Sequence, residues 1–137
     1  MKRVVQRKYD KGDCGIACIA CIACIAMVTG ESYERVEEVF YQHELVNNGE
    51  YYTFHKDLIE VLDTLGFSAK RKLFTSWSNV ETPAIVKVNL RSDNKWHWVV
   101  KADAKSILDP NPLASEVINH YRGRKGCGQY LLISPKP

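Results

Sequence analysis

The sequence predicts an α+β fold with an antiparallel sheet. Apolar residues recur at helical spacing in the first half of the chain, and they form short strand-like runs in the second half. Gly66 marks the change between the two patterns. Because the helices come first and the strands second, instead of alternating, the strands are expected to pair antiparallel. A length of 137 residues without a break in composition predicts one domain over 1–137.

Three helices are predicted before Gly66. Asp13 is a natural N-cap for the first helix, and Thr29-Gly30 is a plausible stop. This first helix is apolar on nearly every side, which predicts a buried, central position. The predicted helices are Cys14 to about Val28, Ser32 to about Gln42, and Thr53, as a cap, to Leu65.

Five short segments after Gly66 are predicted to be strands. Pro83, Asn94 and the segment Asp109-Pro-Asn-Pro112 separate them as turns. The candidate strands are Phe67–Leu73, Ala84–Leu90, Trp96–Ala102, Ser106–Leu108 and Gln129–Ser134.

Charge and hydrophobicity exclude several classes of function. The net charge of +3 and the pI of about 8.6 fall short of the strongly basic values of nucleic-acid-binding domains. The longest apolar run, from Ile16 to Val28, is shorter than the roughly 20 residues of a membrane-spanning helix. The start of the chain has no secretory signal pattern, and five cysteines do not pair off into a disulfide framework. A cytoplasmic location without a membrane span is therefore expected.

Four of the five cysteines lie within residues 14–24, three of them in a repeated Ile-Ala-Cys unit, and their role has several interpretations. The spacing of Cys14, Cys18 and Cys21 matches an iron–sulfur motif, but such cysteines usually lie on an irregular loop rather than on a continuous helix. A zinc site would need a second Cys or His pair, which the sequence lacks. No metal or cofactor is therefore expected. For Cys18, Cys21 and Cys24 the favoured interpretation is packing in the core.

Cys14 differs from the other cysteines because it lies at a predicted helix N-terminus, between Asp13 and Gly15. The helix dipole there stabilises a thiolate, and the glycine leaves room for a substrate carbonyl. A cysteine nucleophile also needs a base. His43, His55 and His120 lie in segments expected to be exposed.

His97 is the favoured base because it lies on a predicted strand, in Trp96-His-Trp-Val-Val100. Alternation places Trp96, Trp98 and Val100 on one face and His97 on the other. A hairpin to the next strand would bring Asp109 close to His97, where a carboxylate would orient the imidazole. Turn formation by Asp109 is an equally good interpretation. Gln6 could supply an amide N–H to an oxyanion.

Taken together, these motifs resemble the papain-like cysteine peptidases that process bacteriocin leader peptides after a double glycine. The resemblance is carried by Gln6, Asp13-Cys14-Gly15-Ile-Ala-Cys18, His97-Trp-Val-Val and Leu108-Asp109-Pro110, in the family's order over nearly the whole chain. The Ile-Ala-Cys unit, which occurs once in the family, is multiplied here. The resemblance implies a papain-like fold, with Cys14 in a helical half and His97 in a sheet half.

The resemblance also implies a hydrolase. Cys14 would be the nucleophile, His97 the base, Asp109 the orienting acid and Gln6 part of the oxyanion hole. The expected substrate is a peptide or protein, cut at a peptide bond after Gly-Gly, at another peptide bond, or at an isopeptide bond. The alternative is a catalytically silent papain-like module that binds a peptide or protein partner.

Overall fold

The structure of the protein is a computed structural model, which describes residues 1–6, 13–47, 50–51 and 53–137. Side chains are described at all of these positions except 13–19, 47 and 50–51. The predicted α+β class is confirmed, since three helices precede a five-stranded antiparallel sheet.

The three predicted helices are present with nearly the predicted bounds. Ser32 caps the second helix, where its side-chain oxygen accepts a hydrogen bond from the backbone N–H of Arg35. The predicted cap of the third helix, Thr53, is wrong by one residue. Phe54 takes the N-cap position because its backbone N–H donates to the carboxylate of Asp57. The helices are α1 (Asp13–Thr29), α2 (Tyr33–Gln42) and α3 (His55–Thr64).

A small pair of antiparallel strands between α2 and α3 was not predicted. These strands are β1 (Val46–Asn47) and β2 (Glu50–Tyr51). A turn is predicted at Asn47-Asn-Gly49, of which Asn48 and Gly49 lie outside the described residues. Two-residue strands lack the length that makes an alternating pattern recognisable.

The main sheet has the strand order β3-β7-β4-β5-β6, and every neighbouring pair is antiparallel. The last strand, β7, therefore lies between β3 and β4. No local sequence pattern predicts this long-range pairing. A short 3₁₀ helix, Trp77–Asn79, joins β3 to β4. The strands are β3 (Phe67–Leu73), β4 (Ala84–Val88), β5 (His97–Asp103), β6 (Ser106–Leu108) and β7 (Gln129–Pro135).

The two faces of the sheet pack into two separate apolar clusters. Trp98 and Val100 share one cluster with the described part of α1 and with α2 and α3. Val99 belongs to the other cluster, which includes Trp77 and Ile107. The predicted alternation along β5 is therefore confirmed for these residues.

The α1 helix is central, as its all-round apolar sequence predicts. Its residues from Ala20 to Ile25 are fully buried. Within the described part of the chain, no helix has the length and apolar character needed to cross a membrane.

Candidate active site

His97 and Asp109 meet at one end of the β5–β6 hairpin. His97 is the first residue of β5, and Asp109 directly follows β6. The Nε2 atom of His97 lies 2.7 Å from Oδ1 of Asp109, and their side chains are only 13% and 7% exposed. The juxtaposition expected from a hairpin is present, because antiparallel pairing of Val100 with Leu108 aligns the two strands.

Asp109 is surrounded by hydrogen-bond donors. Besides His97, Oδ1 accepts the backbone N–H of Asn111 at 2.9 Å, so the carboxylate also organises the turn that follows it. Oδ2 accepts a hydrogen bond from Nε of Arg124 at 3.0 Å, and Nη2 of the same guanidinium forms an ion-pair contact with Oδ2 at 3.0 Å. Burial raises the pKa of Asp109, but the His97 contact, the Asn111 N–H and the Arg124 charge outweigh it and hold the pKa below its usual value.

The second ring nitrogen of His97 is placed to accept a proton. An ionised carboxylate accepts only, so the hydrogen-bond geometry assigns the proton of neutral His97 to Nε2. Nδ1 then carries the free lone pair. This atom is buried and has no hydrogen-bond partner among the residues that the structure describes.

Gln6 lies beside the residue that follows Asp109. Its backbone N–H donates to the carbonyl of Pro110 at 2.9 Å, and the residue is 2% exposed. Neither polar atom of its side-chain amide has a partner within the described part of the chain. A buried amide is costly when it is left unpaired, so its oxygen and its NH₂ group need partners beyond the described contacts.

Arg3 ties the segment that carries Gln6 to the loop after β6. Its Nη1 atom lies 2.8 Å from the carbonyl oxygen of Ala114 and 3.2 Å from that of Ser115. The carbonyls of Asp109 and Asn111 are 3.4 and 3.5 Å away. The Arg3 guanidinium therefore donates to several loop carbonyls, and these bonds hold residues 1–6 against the loop that begins with Asp109.

Cys14 is the second residue of α1, which agrees with its predicted place at a helix N-terminus. Its side chain, like that of Cys18, lies outside the described residues, and so does the predicted contact between Cys14 and His97.

Cys21 and Cys24 are fully buried in the first cluster, so the predicted packing role of these two residues is confirmed. Burial raises the pKa of the Cys24 thiol well above its usual value, and the neighbouring Cys21 and the Asp109 carboxylate raise it further. A thiol in this environment stays protonated, so it is a poor nucleophile.

The other three histidines have different surroundings. His120 is exposed, as predicted. His43 is half-buried, and its Nε2 lies 2.6 Å from the hydroxyl oxygen of Thr64. His55 is also half-buried: its Nε2 donates to the carbonyl of Gln129, and burial lowers its pKa. Both depart from the expected exposure because contacts with distant segments cover them.

The two tryptophans that flank His97 have different surroundings. Trp98 is fully buried and is part of the core. Trp96 is half-buried, lies 5.8 Å from the 60% exposed Phe54, and has the Lys87 ammonium 4.1 Å above its ring. A mixed aromatic and basic rim therefore lies next to His97.

Arg124 is the site residue that sequence reasoning missed. The run Arg122-Gly-Arg-Lys125 predicts a solvated surface, yet the Arg124 side chain is only 14% exposed and contacts Asp109. The sequence gives little indication of this contact, because the pattern of a short basic loop does not show which of its charged side chains is buried. No group of three or more potential metal ligands occurs among the residues described.

Solved structures that share this fold include two peptidases of transporters. The chain superposes on a double glycine motif protease from an AMS/PCAT transporter, determined in complex with the leader peptide. The TM-score is 0.63 at 20% identity, over 99% of this chain and 93% of that one. It also superposes on the peptidase domain of Streptococcus ComA, a bifunctional ABC transporter of a quorum-sensing pathway. Here the TM-score is 0.62 at 19% identity, over 98% of both chains.

One of these neighbours is a double glycine motif protease and the other is a transporter peptidase domain, and the predicted papain-like α+β fold is confirmed. No protein-family model matches this sequence, and no curated protein does.

Proposed function

We propose that this chain is a cysteine peptidase with Cys14 as nucleophile, His97 as general base and acid, Asp109 as the orienting carboxylate and Gln6 in the oxyanion hole. The observation that carries the proposal is the buried His97–Asp109 pair at 2.7 Å, which leaves Nδ1 of His97 without a described partner. The unpaired amide of Gln6, held next to Pro110, adds the donor that such a site needs.

The reaction follows from these roles. Nδ1 of His97 takes the proton of the Cys14 thiol, and the thiolate attacks the substrate carbonyl carbon. The backbone N–H of Cys14 and the amide of Gln6 hold the negative oxygen of the tetrahedral intermediate. The imidazolium then protonates the leaving amine as the C–N bond breaks. Water attacks the thioester with His97 again as base, and the free enzyme returns with the carboxylic acid product.

The substrate that we propose is a peptide cut after a Gly-Gly pair, in the cytoplasm, by one domain comprising residues 1–137. The two structural neighbours support this class, since one is named a double glycine motif protease and was solved with a leader peptide. Two glycines present no side chains, so a narrow cleft selects them by steric exclusion of larger residues.

The test combines thiol reactivity with peptide cleavage. We expect iodoacetamide at neutral pH to modify Cys14 well before the other cysteines, and His97→Ala to slow this modification. Trypsin leaves Cys14, Cys18, Cys21 and Cys24 in one peptide, 12–35, so fragment ions must locate the label. Cys127 is half-buried and serves as the reference thiol.

Cleavage is measured with a peptide library that contains Gly-Gly at a fixed position. Cys14→Ala should abolish hydrolysis, whereas Cys127→Ala should retain it. Equal labelling of all five cysteines, together with peptide binding but no cleavage, would favour the silent binding module instead. Substrates from a lysate that remain bound to Cys14→Ala, identified by mass spectrometry, would then define the natural sequence preference.

A further inference from the structure

Arg124 contacts a buried carboxylate. Its Nε donates to Oδ2 of Asp109 at 3.0 Å, and its Nη2 lies 3.0 Å from the same oxygen, in a place where the two side chains are 14% and 7% exposed. The other oxygen of Asp109 faces His97. A carboxylate held by donors on both oxygens cannot rotate about its terminal bond without losing charge-assisted hydrogen bonds.

The loop that carries Arg124 is itself anchored. The indole N–H of Trp77 donates to the carbonyl of Arg124 at 2.8 Å, and Tyr121 stacks on Trp77 with an interplanar angle of 5°. Nη1 of Arg124 donates to the carbonyl of Arg122 at 3.2 Å. Both ends of the side chain are therefore fixed, which lowers the entropy that is lost when the guanidinium holds the carboxylate.

We propose that Arg124 is a positioning residue, which anchors Oδ2 of Asp109 so that Oδ1 stays aimed at Nε2 of His97. The inference rests on the proposed peptidase function, because it assigns a task to a residue outside the four proposed site residues. It excludes the solvated-surface role that the basic loop sequence predicts for this position.

The guanidinium also acts electrostatically. Burial raises the pKa of the Asp109 carboxyl, but the His97 contact, the Asn111 N–H and the Arg124 charge together hold it below its usual value. The carboxylate therefore stays ionised at neutral pH and keeps accepting from Nε2 of His97.

The experiment compares two variants of the full chain with a control. Arg124→Met keeps the length of the side chain but removes the charge and the Nε donor, whereas Arg124→Lys keeps the charge without the guanidinium geometry. Arg122→Met is the matched control, since the Arg122 side chain is exposed in the same loop. The readouts are the iodoacetamide rate of Cys14 as a function of pH and, with the Gly-Gly peptide, kcat and KM.

Arg124→Met should slow Cys14 alkylation roughly ten- to hundredfold, as expected for the loss of a charge-assisted contact. Arg124→Lys should leave the rate roughly three- to tenfold low, because a point charge does not replace the directional guanidinium donor. Arg122→Met should leave the rate unchanged. An unchanged rate in Arg124→Met would overturn the proposal.

Two further outcomes separate the possible failures. If Arg124→Met does not fold, Arg124→Lys carries the test, and a rate equal to that of the unmodified protein contradicts the positioning role. If the alkylation rate of Cys14 falls as expected in Arg124→Met but the unmodified protein cleaves no peptide, the proposed function fails while the positioning role of Arg124 stands.

Discussion

Replacement of Asp109 by Asn tests the centre of the site with the smallest change in volume. The carboxylate of Asp109 accepts from His97 and Asn111 through Oδ1 and from Nε of Arg124 through Oδ2, which also forms an ion-pair contact with Nη2. An amide has one oxygen and an NH₂ group, so it can serve only one side of this arrangement.

The two orientations of the Asn amide have different costs. With its oxygen toward His97, the NH₂ group faces the Arg124 guanidinium, and buried donors oppose each other. With its oxygen toward Arg124, the NH₂ group faces His97 and forces the proton onto Nδ1, so the ring cannot take a thiol proton. In either case charge-assisted bonds worth about 1.5–3 kcal/mol each are lost, and the imidazolium loses its counter-charge.

The expected result is a fall in kcat/KM of about 100-fold or more, by analogy with the wrong-tautomer effect in serine proteases. The free energy of unfolding at neutral pH should fall by about 2–3 kcal/mol. This corresponds to roughly 3–5 °C in Tm for each kcal/mol in a chain of this size. Peptide cleavage and urea unfolding, followed by tryptophan fluorescence, are the two assays.

The pH dependence gives an independent check. The pKa of Asp109 is lower in the folded protein than its usual value of about 4. Its ionisation therefore stabilises the fold fully above that value, and this stabilisation is lost as the pH falls through the lower, folded pKa. The difference in stability between the unmodified protein and Asp109→Asn should shrink in the same range.

Asp93→Asn is the matched control. Asp93 forms an exposed ion pair with Arg91, so its removal should cost no more than about 1 kcal/mol. If Asp109→Asn retained full cleavage, or destabilised the fold equally at neutral pH and well below pH 3, the reasoning about its charge would be refuted.

Two further substitutions test how the site is held together. Arg3→Ala removes the contacts with four loop carbonyls and should release Gln6 from its position. We expect kcat to fall about tenfold or more with little change in Tm. An unchanged kcat would exclude this role of Arg3. Gly126→Ala would place a Cβ 2.3 Å from the ring of Phe74 and disturb the edge contact between Phe74 and Trp77. The free energy of unfolding, measured by urea denaturation, should fall by about 1–3 kcal/mol. An equally stable Gly126→Ala protein would show that Phe74 moves aside freely.

Much of the secondary structure was predictable because its signals are local. The cap at Ser32, the stop at Gly66 and the turn residues around each strand depend on neighbours within a few positions. Gly66, for instance, has a positive φ of 87°, a conformation that other residues adopt with strain. The pair β1–β2 was not predicted because its two-residue strands are too short to show an alternating pattern.

The site was predictable to different degrees at its different positions. His97 and Asp109 lie twelve residues apart across a hairpin, so local pairing is enough to bring them together. Gln6 and Pro110 are adjacent only because the first residues of the chain return to the loop after β6. For Gln6 the resemblance to a family supplied what spacing alone does not.

Local sequence signals were enough for the α+β class, the bounds of nearly every element and the buried character of α1, and they brought His97 and Asp109 close without choosing between pairing and turn formation for Asp109. Only the folded chain shows that Arg124 turns inward to that pair, and that β7 lies between β3 and β4. The physical reason is the range of the interactions. Caps, turns and alternation act over a few residues, whereas the direction of an arginine in a polar loop depends on which buried carboxylate the folded chain places beside it.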